Sequence, residues 1–307
     1  MEMSSEVEVQ PRAGDAEGLQ DLRAALAARM AGRYAMSMDE RRASFDRWIT
    51  SICPLPADVR VAEAKIAGVP VLEIEPKSGA AFNILHIHGG AFVSGSPRTH
   101  MEFAARLARH ANARVVLPHY RLAPEHKFPA AVEDADAVTR EVMRRNPARP
   151  LALSGDSAGG NLAINAIVET GAKPAALALQ SPFVDLAMTA PSIDARATLD
   201  PFMSREGLGA DVGRYLPAGI DVATPRLSPL FANLAVLPPT LIQVGTAEIL
   251  FDDAMRLTAA LQTARVPVTC ERWLDMTHDW HLFPNWLPSA DAATRSIAKF
   301  LRQHAGA

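Results

Sequence analysis

The sequence predicts an α/β fold, a mostly parallel sheet with helices on both faces. Three observations predict it. Short apolar runs recur through the chain, helix-length amphipathic stretches separate most of them, and the alternation continues almost to the last residue.

The elements follow in order. Residues 1–15, MEMSSEVEVQPRAGD, are acidic and polar and read as loosely ordered. From Glu17 to about Trp48, Leu19, Leu22, Leu26, Met30 and Tyr34 recur at helical spacings of three and four. Strands are expected at 82–89, 113–120, 150–155, 175–181, 239–245 and 266–273, and helices at 99–111, 129–145, 158–170, 252–264 and 290–304. Between Phe183 and Leu237 the rhythm breaks into a stretch rich in Pro, Asp and Ala, with one helix-like piece near 204–216. That stretch is too long for a simple connection. It reads as an insertion that packs with the N-terminal helices over the carboxyl ends of the strands, where open α/β sheets bind ligands. Residues 1–50 are therefore expected to be cap helices and 51–307 the main domain, with a cap insertion at about 185–225.

Composition narrows the function. With 307 residues, 49% of them hydrophobic, the chain can bury one large core. The net charge of −3 carries no basic surplus for nucleic acid or an anionic membrane. Two cysteines, Cys53 and Cys270, make no disulfide framework, and without a Cys/His cluster no metal site is expected. No apolar run approaches the roughly 20 residues of a membrane span, and the first residues lack the basic and apolar regions of a secretory signal. The expectation is a cytoplasmic protein.

The chemistry is concentrated in three motifs. In LALSGDSAGGNLAINAIVE (151–169), Gly155-Asp156-Ser157-Ala158-Gly159 lies between a strand and a helix. That context distinguishes a nucleophile elbow from an ordinary turn with a serine cap: a sharp turn projects the hydroxyl above the sheet, at a helix N-terminus that favours developing negative charge. A serine hydroxyl needs a base. Of the nine histidines only His278, His281 and His304 follow Ser157, and His304 lies in the terminal helix. The loop HIHGGAFVSGS, with His88, Gly89, Gly90 and Ala91, offers backbone N–H groups for an oxyanion. It has neither a phosphate-loop lysine nor a dinucleotide fingerprint. Candidates for the third member follow the strand 239–245 in VGTAEILFDDA: Glu248, Asp252 and Asp253. The last two open a helix, which capping also explains.

In these motifs the sequence resembles the hormone-sensitive-lipase-like α/β-hydrolases, in their bacterial esterase branch. HGGAFVSGS, YRLAPEHKFPAAVEDA (120–135), GDSAGGNLA and MTHDWHLF carry the resemblance, which covers roughly 82–304. It implies an eight-stranded sheet with one antiparallel strand, a helical cap and no cofactor. It implies Ser157 as nucleophile and selects His278, followed two residues later by the aromatic Trp280, over His281. The N–H groups of Gly89, Gly90 and Ala158 would hold the oxyanion. The family shows Asp-Pro-Leu before a second Asp where this chain has Glu248-Ile249-Leu250; keeping Leu250 and Asp252 in register puts Glu248 at the acid position. Phe92, Phe202, Met203 and Trp280 are candidate pocket walls. Glu125 and Arg121 are expected to tie loops beneath the site, and Asp156 to brace the oxyanion loop.

The resemblance implies hydrolysis of short- to medium-chain carboxylic esters through an acyl-enzyme. An alternative is lactone hydrolysis by the same triad, because the histidine loop is similar to that of monoterpene ε-lactone hydrolases. A distant one is a non-catalytic small-molecule receptor, whose relatives lack the catalytic histidine that His278 supplies here. A homodimer through an edge strand, with 266–273 as the candidate, is a further expectation.

Overall fold

The computed structural model describes residues 4–30, 32, 35–145 and 147–307. Nine strands form one sheet: β1 (Ser5–Val9), β2 (Val59–Ile66), β3 (Val69–Pro76), β4 (Phe82–Ile87), β5 (Ala113–Pro118), β6 (Leu151–Asp156), β7 (Leu177–Gln180), β8 (Thr240–Gly245) and β9 (Val268–Trp273). Their order is β1-β9-β8-β7-β6-β4-β5-β3-β2. Only β3 runs against its neighbours, β2 and β5; every other pairing is parallel.

The expectation of eight strands is corrected to nine, and that of a loosely ordered start fails with it. β1 pairs in parallel with β9, from Ser5 opposite Thr269 to Val9 opposite Trp273. Its side chains are partly or fully exposed, because it covers an edge rather than a core, and so the strand can be polar. One consequence is that β9 lies inside the sheet; the edges are β1 and β2. The β2–β3 hairpin also lies at a border. β2 buries only its two end residues, so its pattern, VRVAEAKI, lacks an apolar run.

The central strands β4, β6, β7 and β8 are buried along their whole lengths. Their side chains alternate between two cores. Leu85, Ile87, Leu153, Leu179 and Ile242 face one, with α4 (Ala130–Arg145), α5 (Ala158–Thr170) and α8 (Phe251–Thr263). Ile84, Ala152, Ala178 and Leu241 face the other, with α3 (Met101–Ala111) and α9 (Pro288–Ala305). Each fully buried Leu or Ile contributes roughly 1.5–3 kcal/mol, which makes this double core the main source of stability.

The single N-terminal helical pattern divides into α1 (Asp15–Met30) and α2 (Met38–Ile52). Gly32 adopts φ 74°, and Ser37 with Glu40 forms a reciprocal capping box that starts α2. Tyr34, expected in the pattern, lies outside the described residues. The insertion carries α6 (Ser192–Ala195) and α7 (Arg205–Tyr215). Arg41 of α2 and Asp211 of α7, both almost wholly buried, pair at 3.1 Å and join the N-terminal helices to the segment between β7 and β8. Arg42 donates to Val93 O at 2.8 Å and Ala123 O at 2.7 Å, and pairs with Glu125 at 2.8 Å, fastening α2 to the main body. Arg121 pairs instead with Asp134 at 2.8 Å. Among the described residues no helix is long and apolar enough to cross a membrane.

A tight seam lies where β6 turns into α5 beneath the end of β4. A Cβ on Gly159 would overlap the carbonyl oxygen of Ile87, and one on Gly155 the carbonyl oxygen of Gly159. Gly159→Ala should therefore cost about 3 kcal/mol and lower Tm by roughly 6 °C or more. Gly213→Ala, at a helical position with open space around it, should be neutral or slightly stabilising. Equal melting temperatures for the two variants would contradict this reading of the seam.

Candidate active site

Ser157 sits on that seam with φ 51° and ψ −120°, a conformation that non-glycine residues rarely hold. It is fixed on both sides: its N–H donates to Gln180 O at 2.9 Å, and its carbonyl accepts from Phe183 N at 3.0 Å. The side chain stands at the N-terminus of α5 and lines a cavity of about 100 Å³.

The loop after β4 forms one wall. Gly90, Ala91 and Phe92 all have positive φ, at 116°, 52° and 64°. A Cβ on Gly90 would overlap Ser94 O, so this position requires glycine. The Gly89 N–H donates to Asp156 Oδ2 at 2.8 Å and is thereby occupied, which corrects its expected role as an oxyanion donor. The N–H groups of Gly90, Ala91 and Ala158 have no protein acceptor among the described residues. Tyr120 supports the loop from below, donating to His88 O at 2.9 Å and stacking on the His88 ring at 4.2 Å.

Asp156 binds more than Gly89. His100 Nε2 lies 3.1 Å from its Oδ2, and His86 Nε2 lies 3.1 Å from its Oδ1. Burial works against the Asp156 carboxylate, but His100 and His86 outweigh it and hold its pKa well below the usual range. In return Asp156 raises His100 above an ordinary histidine, against burial. The expectation that Asp156 braces the oxyanion loop thus has a specific form, a carboxylate holding two histidines and a backbone amide.

The opposite wall comes from the ends of β8 and β9. Gly245 closes against the backbone of Met276, and Ala247 N donates to Met276 O at 3.0 Å, so the two loops travel together. Glu248, on the first, is fully buried. Its Oε2 accepts from Ser181 Oγ at 2.7 Å and from Gly245 N at 3.2 Å. Its Oε1 lies 3.7 Å from His278 Nδ1. Asp252 accepts instead from Ser192 N of α6 at 2.8 Å, and Asp253 from Val184 N at 2.9 Å and Asp185 N at 3.1 Å. Of the three candidate carboxylates, only Glu248 is paired with the histidine.

His278 lines the cavity with Ser157, and its Nε2 lies 3.0 Å from Asp279 Oδ2. Burial would lower its pKa, but Asp279 and then Glu248 raise it well above the ordinary histidine value. Burial pushes Asp279 up to about 7 against the pull of His278, so the two titrate as a pair. No hydrogen bond joins Ser157 Oγ to His278 among the described residues; catalytic hydrogen bonds are often long before substrate binds. His281 bonds Gln243 Oε1 at 2.8 Å, and burial with the nearby Arg106 holds its pKa well below the usual value. It has the packing role expected of the second histidine.

Leu26, Phe45, Phe202, Met203, Leu208 and Leu282 form an apolar part of the remaining cavity wall, beside Arg29, Arg41 and Asp211. Phe202 and Met203 are placed as expected, and Phe202 lies 5.9 Å from the His278 ring. Phe92 and Trp280 are not. Phe92 is wholly buried against Tyr215 at 4.1 Å, and Trp280 against Trp273 at 5.8 Å and His281 at 3.9 Å. The reason is directional, since each follows a loop residue with positive φ, Ala91 or Asp279, that turns the chain back into the core. Three residues that the sequence reading did not name join the site: Ser181 and Asp200, with no marking in their local sequence, and Asp279, inside the histidine loop. Asp200 accepts from Ile249 N, Phe202 N and Met203 N at 2.8–3.0 Å and ties the wall to the Glu248 loop.

Residues 84–282 match a family model described as the alpha/beta hydrolase fold. An esterase of Acinetobacter venetianus is 36% identical over 252 residues, covering 80% of this chain and 83% of that one. An acetyl-hydrolase of Streptomyces hygroscopicus is 39% identical over 238 residues, covering 76% and 79%. Among solved structures, an esterase from the bacterial hormone-sensitive lipase family superposes with a TM-score of 0.88 at 36% identity, covering 94% of this chain and 98% of that one. The chain belongs to this family. It is a carboxylic ester hydrolase with the α/β-hydrolase fold.

For this esterase the Asp156 cluster is a stability element as well as a part of the site. Asp156→Ala should cost roughly 3 kcal/mol, because it leaves His100 and the Gly89 amide buried without their partner. The carboxylate's contribution is fully present above its unfolded pKa of about 3.9 and is lost only as pH falls through its lowered folded value. The same contact raises His100, whose contribution is fully present below about 6.5 and fades as pH rises through its raised folded value, so urea denaturation should show a deficit at both pH 7 and pH 5, the larger at pH 5. Wild-type stability in the variant at both would contradict the assignment.

Proposed function

We propose that the esterase works through an acyl-enzyme on Ser157, with His278 as base and Glu248 as the acid that orients it. One observation carries this reading: Ser157, on a left-handed elbow, shares its cavity with a histidine whose Nδ1 faces a buried carboxylate. Ser157 Oγ attacks the ester carbonyl while His278 Nε2 accepts its proton. The imidazolium directs Nδ1–H at Glu248. The oxyanion takes the N–H groups of Gly90 and Ala158, each such donor being worth about 10²–10³ in rate. His278 returns the proton to the leaving alcohol, then activates water to release the acid.

The substrate we propose is an ester with a short to medium acyl chain. A cavity of about 100 Å³ is smaller than the roughly 300–1,000 Å³ of pockets for drug-sized ligands, and both cap segments contribute to its walls. Lactones would use the same triad, and no feature of the cavity favours them. The cap role of α1, α2 and the insertion belongs to the same proposal. So does a cytoplasmic setting, which the buried, unpaired Cys53 and Cys270 suit. Two copies joining edge to edge would do so along β1 or β2.

Ser157→Ala should lower kcat by ~10⁴-fold or more on a nitrophenyl ester, and a chelator should leave wild-type activity unchanged. Full activity in the variant would end the assignment. Glu248→Gln should cost ~10³–10⁴-fold in kcat, whereas Asp252→Asn should cost little. The reverse order would move the acid to Asp252. A series of esters should show fastest turnover between roughly two and eight acyl carbons; fastest hydrolysis of emulsified long-chain triglycerides would contradict the small cavity.

A further inference from the structure

We propose that Asp279 is a positioning residue that gates His278: turned inward, its carboxylate occupies the Nε2 that the Ser157 proton must reach, and turnover requires it to be displaced or its partner neutral. The proposal rests on the triad reading above. Four observations carry it. Asp279 Oδ2 lies 3.0 Å from His278 Nε2, on the ring edge opposite Glu248. No hydrogen bond joins Ser157 Oγ to that ring among the described residues. Asp279 lines the same cavity as Ser157, Gly90 and His278, so any acyl group entering there meets its carboxylate. Its Oδ1 is buried without a hydrogen-bond partner, and its backbone sits in the left-handed region at φ 49° and ψ 35°.

The inward position has a structural partner and a chemical cost. Asp279 N donates to Ser181 Oγ at 3.4 Å, and Ser181 donates to Glu248 at 2.7 Å, so one hydroxyl links the two carboxylates that flank the ring. A carboxylate on each side stabilises the imidazolium, which has no lone pair for the Ser157 proton. A carboxylate in that cavity would also repel the oxyanion formed on the ester.

The other charged groups around the ring do not duplicate this contact. Glu248 comes from the loop after β8, Asp200 from the insertion, and Asp156 with His100 and His86 from the β4–β6 side. His281 is held well below the usual histidine value by burial, Arg106 and His278 itself. Among the described residues, Asp279 is the acidic side chain with an oxygen at hydrogen-bond distance from Nε2.

The test is the pH dependence of kcat/KM for a short nitrophenyl ester in wild type, Asp279→Asn and Asp279→Ala. A general base works only when deprotonated, so activity falls as pH drops through the His278 pKa, which Asp279 raises. Both variants should move the acid limb down by about one pH unit, raising kcat/KM on that limb by about 10-fold. A merely structural residue would lower activity at every pH and leave the limb in place, and that result overturns the proposal. If neither variant folds, the His278 imidazolium in the wild-type protein, followed by proton NMR, decides. Titration well above 6.5 supports the gate, and titration at or below it overturns it. His278→Asn with full activity would instead overturn the triad reading itself.

Discussion

Everything in this active site depends on one close approach, the end of β4 lying directly on the turn from β6 into α5. Gly159 admits the carbonyl of Ile87, and Gly155 admits that of Gly159; neither could carry a side chain without displacing backbone. That contact places Ser157 and the glycine loop after β4 side by side, because the loop leaves β4 one residue beyond Ile87. It also forces Ser157 into a left-handed conformation, which neighbouring backbone hydrogen bonds hold. The strain at Ser157 is maintained by a seam whose strands are buried along their whole lengths.

The second organising feature is electrostatic. Four buried or nearly buried carboxylates surround the histidines: Asp156, Asp200, Glu248 and Asp279. They differ in their partners. Asp156 faces His86, His100 and a backbone amide, and stays ionised. Asp200 is supplied by three backbone amides and holds the insertion against the Glu248 loop. Glu248 is bonded by a hydroxyl and one amide and turns its other oxygen to His278. Asp279 has the histidine and little else, which is why its charge acts most directly on His278. Arg42 of α2 donates to Val93 O and so fastens that helix to the glycine loop after β4.

What the sequence reveals follows from where each constraint is local. The elbow, the glycine loop and the histidine loop are legible because their backbone requirements fall on consecutive residues, as in Gly155-Asp156-Ser157-Ala158-Gly159. Glu248 could be placed only by register against relatives, since three carboxylates follow the same strand within six residues. Its pairing with His278 comes from the joined loops after β8 and β9. Ser181 and Asp200 are silent in the sequence because topology alone, not spacing, brings them to the site, whereas Asp279 adjoins His278 and only its side-chain direction was hidden. Phe92 and Trp280 stand next to site residues yet turn inward, since a single positive φ reverses a side chain's direction. β1 escaped notice for a different reason: an edge strand needs no apolar face, and only its ladder to β9 defines it.

The central claim is a covalent intermediate on one serine. Acid-quenched mass spectrometry during the first turnover of a nitrophenyl ester tests it most directly. The account predicts one acyl group per chain, confined to the peptide bearing Ser157. Turnover with no covalent adduct, under conditions that trap one in a known serine esterase, would contradict it, as would an adduct on any other residue.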